Sequence, residues 1–190
     1  MSRLGFVNVT PQDLIDFWTA AGPKAWFRVD AAFDAAMRER FEATHLAAAR
    51  GELSGWGETA NGALALLLLL DQTPRNIYRG SAHAFATDGL ALALATRAVE
   101  AGFDLQAPPA LQIFFYLPFE HAENPAAQAR GVALCEAHAA RTGDDDQLRY
   151  ARIHADVIAR FGRFPHRNQA LGRVTTPEEA AFLAGGGFRG

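Results

Sequence analysis

Arg160, Arg163 and Arg167 bring three guanidinium groups into eight positions, and His166 and Asn168 add an imidazole and a carboxamide. Guanidinium forks match the geometry of carboxylate and phosphate, and an imidazole exchanges protons near neutral pH. The chemistry this pattern could do is to hold a small anionic group and move a proton beside it. A helical wheel divides the segment. Arg149, Arg152, Asp156 and Arg160 share one arc, where Asp156 lies within i,i+4 reach of Arg160 and Arg152, the pattern of a solvated face. His154 falls on the opposite, apolar arc with Ile158 and Phe161 and is expected to point inward. Arg163, His166, Arg167 and Asn168 lie beyond Gly162, in a loop, where functional groups concentrate on a rigid scaffold. The competing account is an arginine network that ties helix ends together by donating to their orphan carbonyls.

Two further clusters qualify. Asp71, Arg75, Asn76 and Arg79 surround Pro74; Asp71, read as the end of a leucine helix, opposes the preference for cations there and needs a partner, for which Arg75 is the nearest. Glu120, His121 and Glu123 follow the aromatic run Phe114–Phe119, and a carboxylate beside an imidazole is a general acid–base pair. No His-Glu-x-x-His spacing occurs, so neither a metal nor another cofactor is expected. Cys135 and His138 stand at i,i+3 and read as helix packing; His45 and His83 have no convergent partners. Ser2, Ser54 and Ser81 lie in no nucleophile elbow. The candidate set is thus His166, His121, His154 and Glu120 for proton transfer, with Arg163, Arg167, Asn168, Asp71, Arg75, Asn76, Arg79 and Glu123 for ligand binding.

The elements that must position these groups are helices. Thr10-Pro11, Asn124-Pro125 and Thr176-Pro177 each place a capping side chain before a proline at the first helical position, the last with Glu179 set for a capping box. Phe33, Met37, Phe41 and His45 form one stripe in a helix over 30–50 that stops at Gly51. A helix over 59–71 carries leucine on nearly every azimuth, so it is expected to be surrounded by other helices. Helices over 87–101, 108–116 and 145–161 complete about eight, and no run alternates long enough to be a strand. The expected fold is all-α, built of αα-hairpins as a bundle or superhelix, in a single domain over 1–184 with a flexible Gly-rich tail over 185–190. Phe17, Trp18, Trp26, Phe27 and Trp56 read as core.

Composition narrows the partners. The chain has 190 residues, 49% hydrophobic and 21% charged, with a net charge of −3, so neither nucleic acid nor an anionic membrane surface is expected. Basic residues are 17 Arg against the single Lys24, which lowers the information in any one arginine. One cysteine excludes an intrachain disulfide and fits a reducing, cytoplasmic location. The eight-residue apolar stretch Ala63–Leu70 is too short to span a bilayer.

Four blocks together carry a resemblance: Asp16-Phe17-Trp18 with Trp26-Phe27; Leu70-Asp71-Gln72-Thr73-Pro74-Arg75-Asn76; Phe115 through Glu123; and Arg160 through Asn168, continuing to Leu171-Gly172-Arg173 and Glu178-Glu179. They resemble the bacterial family catalogued as domain of unknown function 924, from about Val9 to Leu183. The resemblance implies an all-α, tetratricopeptide-like fold and no established activity. Thr73 stands where the family pattern has Phe, and Ala122 where it has Ser, which removes a serine nucleophile at that block. The function therefore stays unassigned between two readings. One is a site for a small anion, with histidine as acid and base; the other is a tetratricopeptide-like scaffold for a peptide or partner protein, whose Arg and His motifs are structural. Convergence of the charged blocks on one open pocket favours the first. Mutual pairing of those blocks, with a separate apolar groove, favours the second.

Overall fold

The computed structural model describes residues 9–190, and among these it contains helices and no strand. In chain order they are α1 (Pro11–Ala21), α2 (Pro23–Trp26), α3 (Ala31–Ala49), α4 (Ala60–Leu67), α5 (Thr73–Ile77), α6 (Asp88–Glu100), α7 (Pro109–His121), α8 (Pro125–Thr142), α9 (Asp146–Phe161) and α10 (Pro177–Ala184). The all-α expectation holds. Thr10 with Asp13 and Thr176 with Glu179 close reciprocal capping boxes, and Asn124 caps α8 through its side-chain oxygen. No helix among the described residues is long and apolar enough to cross a membrane.

The chain forms two compact units. The first comprises the residues up to Arg79 with His83–Phe115, and the second Gly80–Ala82 with Tyr116–Gly190. In the first, α4 is packed by α1 and α6, and every residue from Gly62 to Pro74 is buried. Trp18 is fully buried against Trp26 and Phe114, and the Trp26 indole donates to the Trp18 carbonyl at 2.7 Å. Phe27 departs from the expected aromatic core. It follows the last residue of the four-residue α2 and is 57% exposed.

The leucine helix does not end at Asp71. Leu68–Gln72 forms a single π-helical turn that joins α4 to α5, so Asp71 is internal and the macrodipole objection to it falls away. Pro74 is the physical reason the turn matters. It has no N–H, and the two carbonyls such a group would serve are those of Leu70 in α register and Leu69 in π register. Both take side-chain donors instead: Thr87 Oγ1 donates to Leu70, and His45 Nδ1 to Leu69 at 2.7 Å. On either side Thr73 Oγ1 donates to the Leu68 carbonyl at 2.9 Å and Arg75 Nη1 to that of Asp71 at 2.7 Å. Four successive buried carbonyls are thus satisfied by four side chains.

In the second unit α8 and α9, joined by Gly143–Asp145, pack on each other. Gly131 sets how closely α8 approaches α7, because a Cβ there would lie 3.1 Å from the Phe119 Cβ. Helix α7 runs through Pro118 to His121, past the expected stop before that proline. Its terminal carbonyls are held from outside: Gln128 Nε2 donates to Glu120 at 2.6 Å and to Ala122 at 2.8 Å, and Arg167 Nη1 donates to His121 at 3.0 Å.

Replacing Thr87 by Val keeps shape and removes the donor to Leu70. A buried carbonyl left without a partner costs about 1–3 kcal/mol. Urea unfolding of T87V is expected to show that loss with an unchanged m-value, and an unaltered midpoint would contradict the role given to the Thr87 hydroxyl.

Candidate functional site

The Arg75 block sits in the first unit. Arg75 forks end-on onto Asp88, Nη1 to Oδ1 at 2.9 Å and Nη2 to Oδ2 at 3.0 Å, and Nη1 also lies 3.2 Å from Asp71 Oδ1. Asp71 is buried and accepts a hydrogen bond from Gln72 Nε2 at 2.6 Å. Burial disfavours the Arg75 charge, yet Asp71 and Asp88 outweigh it and hold its pKa above the usual value. Arg79 forks side-on onto Asp34, at 2.7 and 3.1 Å, and donates to Asn76 Oδ1 at 3.2 Å. The expected Asp71–Arg75 pair is present. Asp88 and Asp34, which complete the network, were not legible because they lie 13 and 45 positions away.

The other blocks lie in the second unit. Gly162, with φ 69°, ends α9 in the left-handed conformation and turns the chain into the Arg163–Asn168 loop. Arg163 does not face outward. Its Nε and Nη2 fork onto Glu179 at 2.6 and 2.8 Å, and Nη2 also reaches the Val174 carbonyl at 2.9 Å. Glu179 is buried and also accepts from Asn168 Nδ2 at 3.1 Å and the Thr176 N–H at 2.8 Å. The Arg163 hydrogen bond leads these interactions, and against the opposing effect of burial they hold the Glu179 carboxyl at about 2. Arg173, unmarked as a site residue in the sequence reading, forks onto Glu123 at 2.6 and 3.0 Å. That pair clasps one peptide: Glu123 Oε1 accepts the Phe164 N–H at 2.8 Å, and Arg173 Nη2 donates to the Phe164 carbonyl at 3.0 Å. Arg160 is exposed as expected, but its partner is Glu178, at 3.0 and 3.1 Å, and not Asp156.

The four proton-transfer candidates do converge. Phe164 is fully buried, with the Arg167 guanidinium 4.4 Å above its ring and the His154 and His166 rings at 5.7 and 5.6 Å. His121 stands 6.0 Å from His154. His154 Nδ1 donates to the Tyr150 carbonyl at 2.8 Å and lies 3.6 Å from the buried Glu120 Oε2, so in the neutral ring Nε2 is the basic nitrogen. Phe188 covers this group, 4.5 Å from His154 and 5.5 Å from His166, and Gly190 packs beside His166 Nε2. Buried His166 Nδ1 and Asn168 Oδ1 have no hydrogen-bond partner among the described residues. Burial, with the Arg167 and His154 charges, pushes the His166 pKa down to about 3, with Glu123 opposing. Glu120 Oε1 accepts from Cys135 Sγ at 3.4 Å, and burial first, then that carboxylate, drives the thiol pKa up, which leaves Cys135 inert. No group of three or more His, Cys, Asp or Glu among the described residues is arranged to hold a metal ion.

A separate apolar cleft opens in the first unit, with a volume of about 300 Å³. Ala48 and Ala49 of α3, Leu66 of α4, Leu70 of the π turn, and Leu90 and Leu94 of α6 line it, with Arg50, Ser54 and Arg97 among the polar residues. Motif reading missed it because leucine and alanine at helical spacing look like core.

Acid titration tests this electrostatic picture. His166 resists protonation when folded, so the unfolded chain takes up a proton below pH 6.5 that the folded chain refuses until about pH 3. Stability is expected to fall across that window, by up to about 1.4 kcal/mol per pH unit for the one proton. Glu179 adds stability that is complete above its unfolded value of 4.5 and is lost as pH falls toward 2. Urea midpoints from pH 7 to pH 3 should flatten between pH 6 and 4.5 in H166F and below pH 4.5 in E179Q; parallel profiles would refute both assignments.

Comparison with known proteins agrees with this architecture. The family described as bacterial protein of unknown function, DUF924, matches residues 14–187. A solved structure of a protein of unknown function from Agrobacterium tumefaciens is similar, with a TM-score of 0.86 and 50% sequence identity over 91% of this chain and 96% of that one. No curated protein matches. The match over residues 14–187, nearly the whole chain, places this protein in that family, the DUF924 bacterial proteins of unknown function.

Proposed function

We propose that the chain is a helical binding protein whose charged blocks maintain the fold and whose apolar cleft in the first unit receives the ligand or partner. One observation carries this reading: Arg75, Arg79, Arg163 and Arg173 each commit a fork to a carboxylate of the same chain. A guanidinium whose fork is closed on an internal carboxylate has its charge already balanced, which weakens its pull on an external carboxylate or phosphate. Arg167 is buried, donates to a helix-end carbonyl and lies on an aromatic face. The charged blocks therefore pair internally, and a separate open cleft lies among leucines.

Thermal denaturation in millimolar acetate, inorganic phosphate or ADP tests it. The expected midpoint shift is the same for wild type and for R163A and R167A, each compared with its own additive-free midpoint. Nile red, a neutral apolar dye, should bind wild type and lose most of its emission with L90E, a change at an exposed cleft residue. An anion that stabilises wild type but neither arginine variant, or dye emission indifferent to L90E, would overturn the reading.

A second reading rests on the convergence of Glu120 and His121 on His154, with Phe188 over His154 and His166, an acid–base group that substrate would reach once that ring moves aside. Assays of wild type, F188A, F188A/H154A and F188A/H166A against nitrophenyl acetate and nitrophenyl phosphate decide it. Turnover in F188A that falls at least tenfold with either histidine change supports this reading; equal rates in all four sink it.

A further inference from the structure

Within that binding reading, on which this step rests, we infer that the cleft in the first unit is a site for an amphiphile with a short apolar body and one anionic head. The volume of about 300 Å³ stands at the lower end of small-molecule pockets. Its floor and walls are hydrocarbon, since Leu66 and Leu70 come from the buried leucine helix and Leu90 and Leu94 from α6. Leu90 remains 48% exposed one turn before the buried Leu94 on the same side of α6, so an apolar group seated there removes leucine surface from water. That supplies a driving force for the tail and no preference for a head.

The head preference comes from the two guanidinium groups. Arg50 is neutralised, its Nε and Nη2 forking onto Glu52 at 2.6 and 2.9 Å. Arg97 is different: among the described residues it makes no ion pair and no side-chain hydrogen bond, although it lines the same cleft one helical turn beyond Leu94. In a chain whose other cleft arginine and network arginines are paired, Arg97 is the cation positioned to meet a ligand. It also lies in the last turn of α6, where the helix dipole already favours a cation, so the charge is well tolerated without an internal partner. A carboxylate at the end of an alkyl chain meets both demands at once. A polyanion such as a nucleotide meets neither, having no tail for the leucines and more charge than one guanidinium balances.

The test is displacement of Nile red, or direct titration calorimetry, with four probes of equal chain length: octanoate, octyl phosphate, octanol and octylamine. For wild type the expected order is octanoate and octyl phosphate at least tenfold tighter than octanol, with octylamine weakest. R97Q should bring the two anions down to the level of octanol while leaving octanol itself unchanged, and R97E should place octylamine above octanoate. Arg97 is exposed and makes no packing interaction of note, so these variants fold, and a far-ultraviolet circular dichroism spectrum verifies it. Equal affinity for all four heads, or anion preference that survives R97Q, overturns the inference while leaving the cleft as a binding face. Absence of binding by Nile red and by every probe overturns the binding reading itself, and the inference with it.

Discussion

A helix that is apolar on every side has no water to receive its carbonyls, so any break in its hydrogen-bond ladder must be repaired by a side chain. The leucine helix of the first unit carries such a break at Pro74. Its repair accounts for two side chains: His45 donates to Leu69 and Thr87 to Leu70, while on either side Thr73 adds a bond to Leu68 and Arg75 one to Asp71. The remaining charges follow in order of necessity. Once the Arg75 guanidinium is drawn to the helix backbone it requires carboxylates, and Asp71 and Asp88 supply them. Each group is there because the previous one had to be buried.

The same logic governs the second unit at the end of α7. Glu120, His121 and Ala122 present carbonyls where the helix stops, and Gln128 and Arg167 answer them. The Glu123–Arg173 pair then fixes both ends of the Phe164 peptide, and Glu179 joins Arg163, Asn168 and the start of α10 through one buried carboxylate. Removing Arg163 strands the buried Glu179 carboxylate in a poor solvent, which is far more damaging than losing the pair's modest net attraction. Networks of this kind specify a single packing arrangement of the loop over Phe164. A ligand that displaced Arg163 there would leave the buried Glu179 carboxylate unpaired.

Local signals in the chain were sufficient for the helices and insufficient for the site. The Thr-Pro and Asn-Pro starts, the Glu179 capping box, the buried leucine helix and the inward His154 all follow from short-range pattern, and all four are present. Two boundaries moved because proline was taken as a stop: a π turn carries the helix past Pro74, and α7 runs on through Pro118. The pairings were harder. Arg160 met Glu178, 18 positions on, where i,i+4 spacing pointed to Asp156, and Arg163 met Glu179 at a separation of 16. A wheel shows which way a side chain points from its own helix. It says nothing of what a different helix brings to that point, so every partner beyond one or two turns was hidden.

Residues that stand out in a sequence are those whose burial demands a specific partner, and such residues are fixed by the fold whether or not they touch a ligand. A binding surface made of leucine and alanine leaves no comparable trace, because any of several apolar side chains serves to cover it. In this chain Arg75, Arg79, Arg163 and Arg173 are each paired with a carboxylate, while the cleft in the first unit is lined by inconspicuous residues, by Arg50 paired with Glu52, and by Arg97, which no carboxylate among the described residues neutralises. Where fold maintenance consumes the charged residues, the charge it does not consume is the more informative one, and Arg97 is the one that lines a cavity.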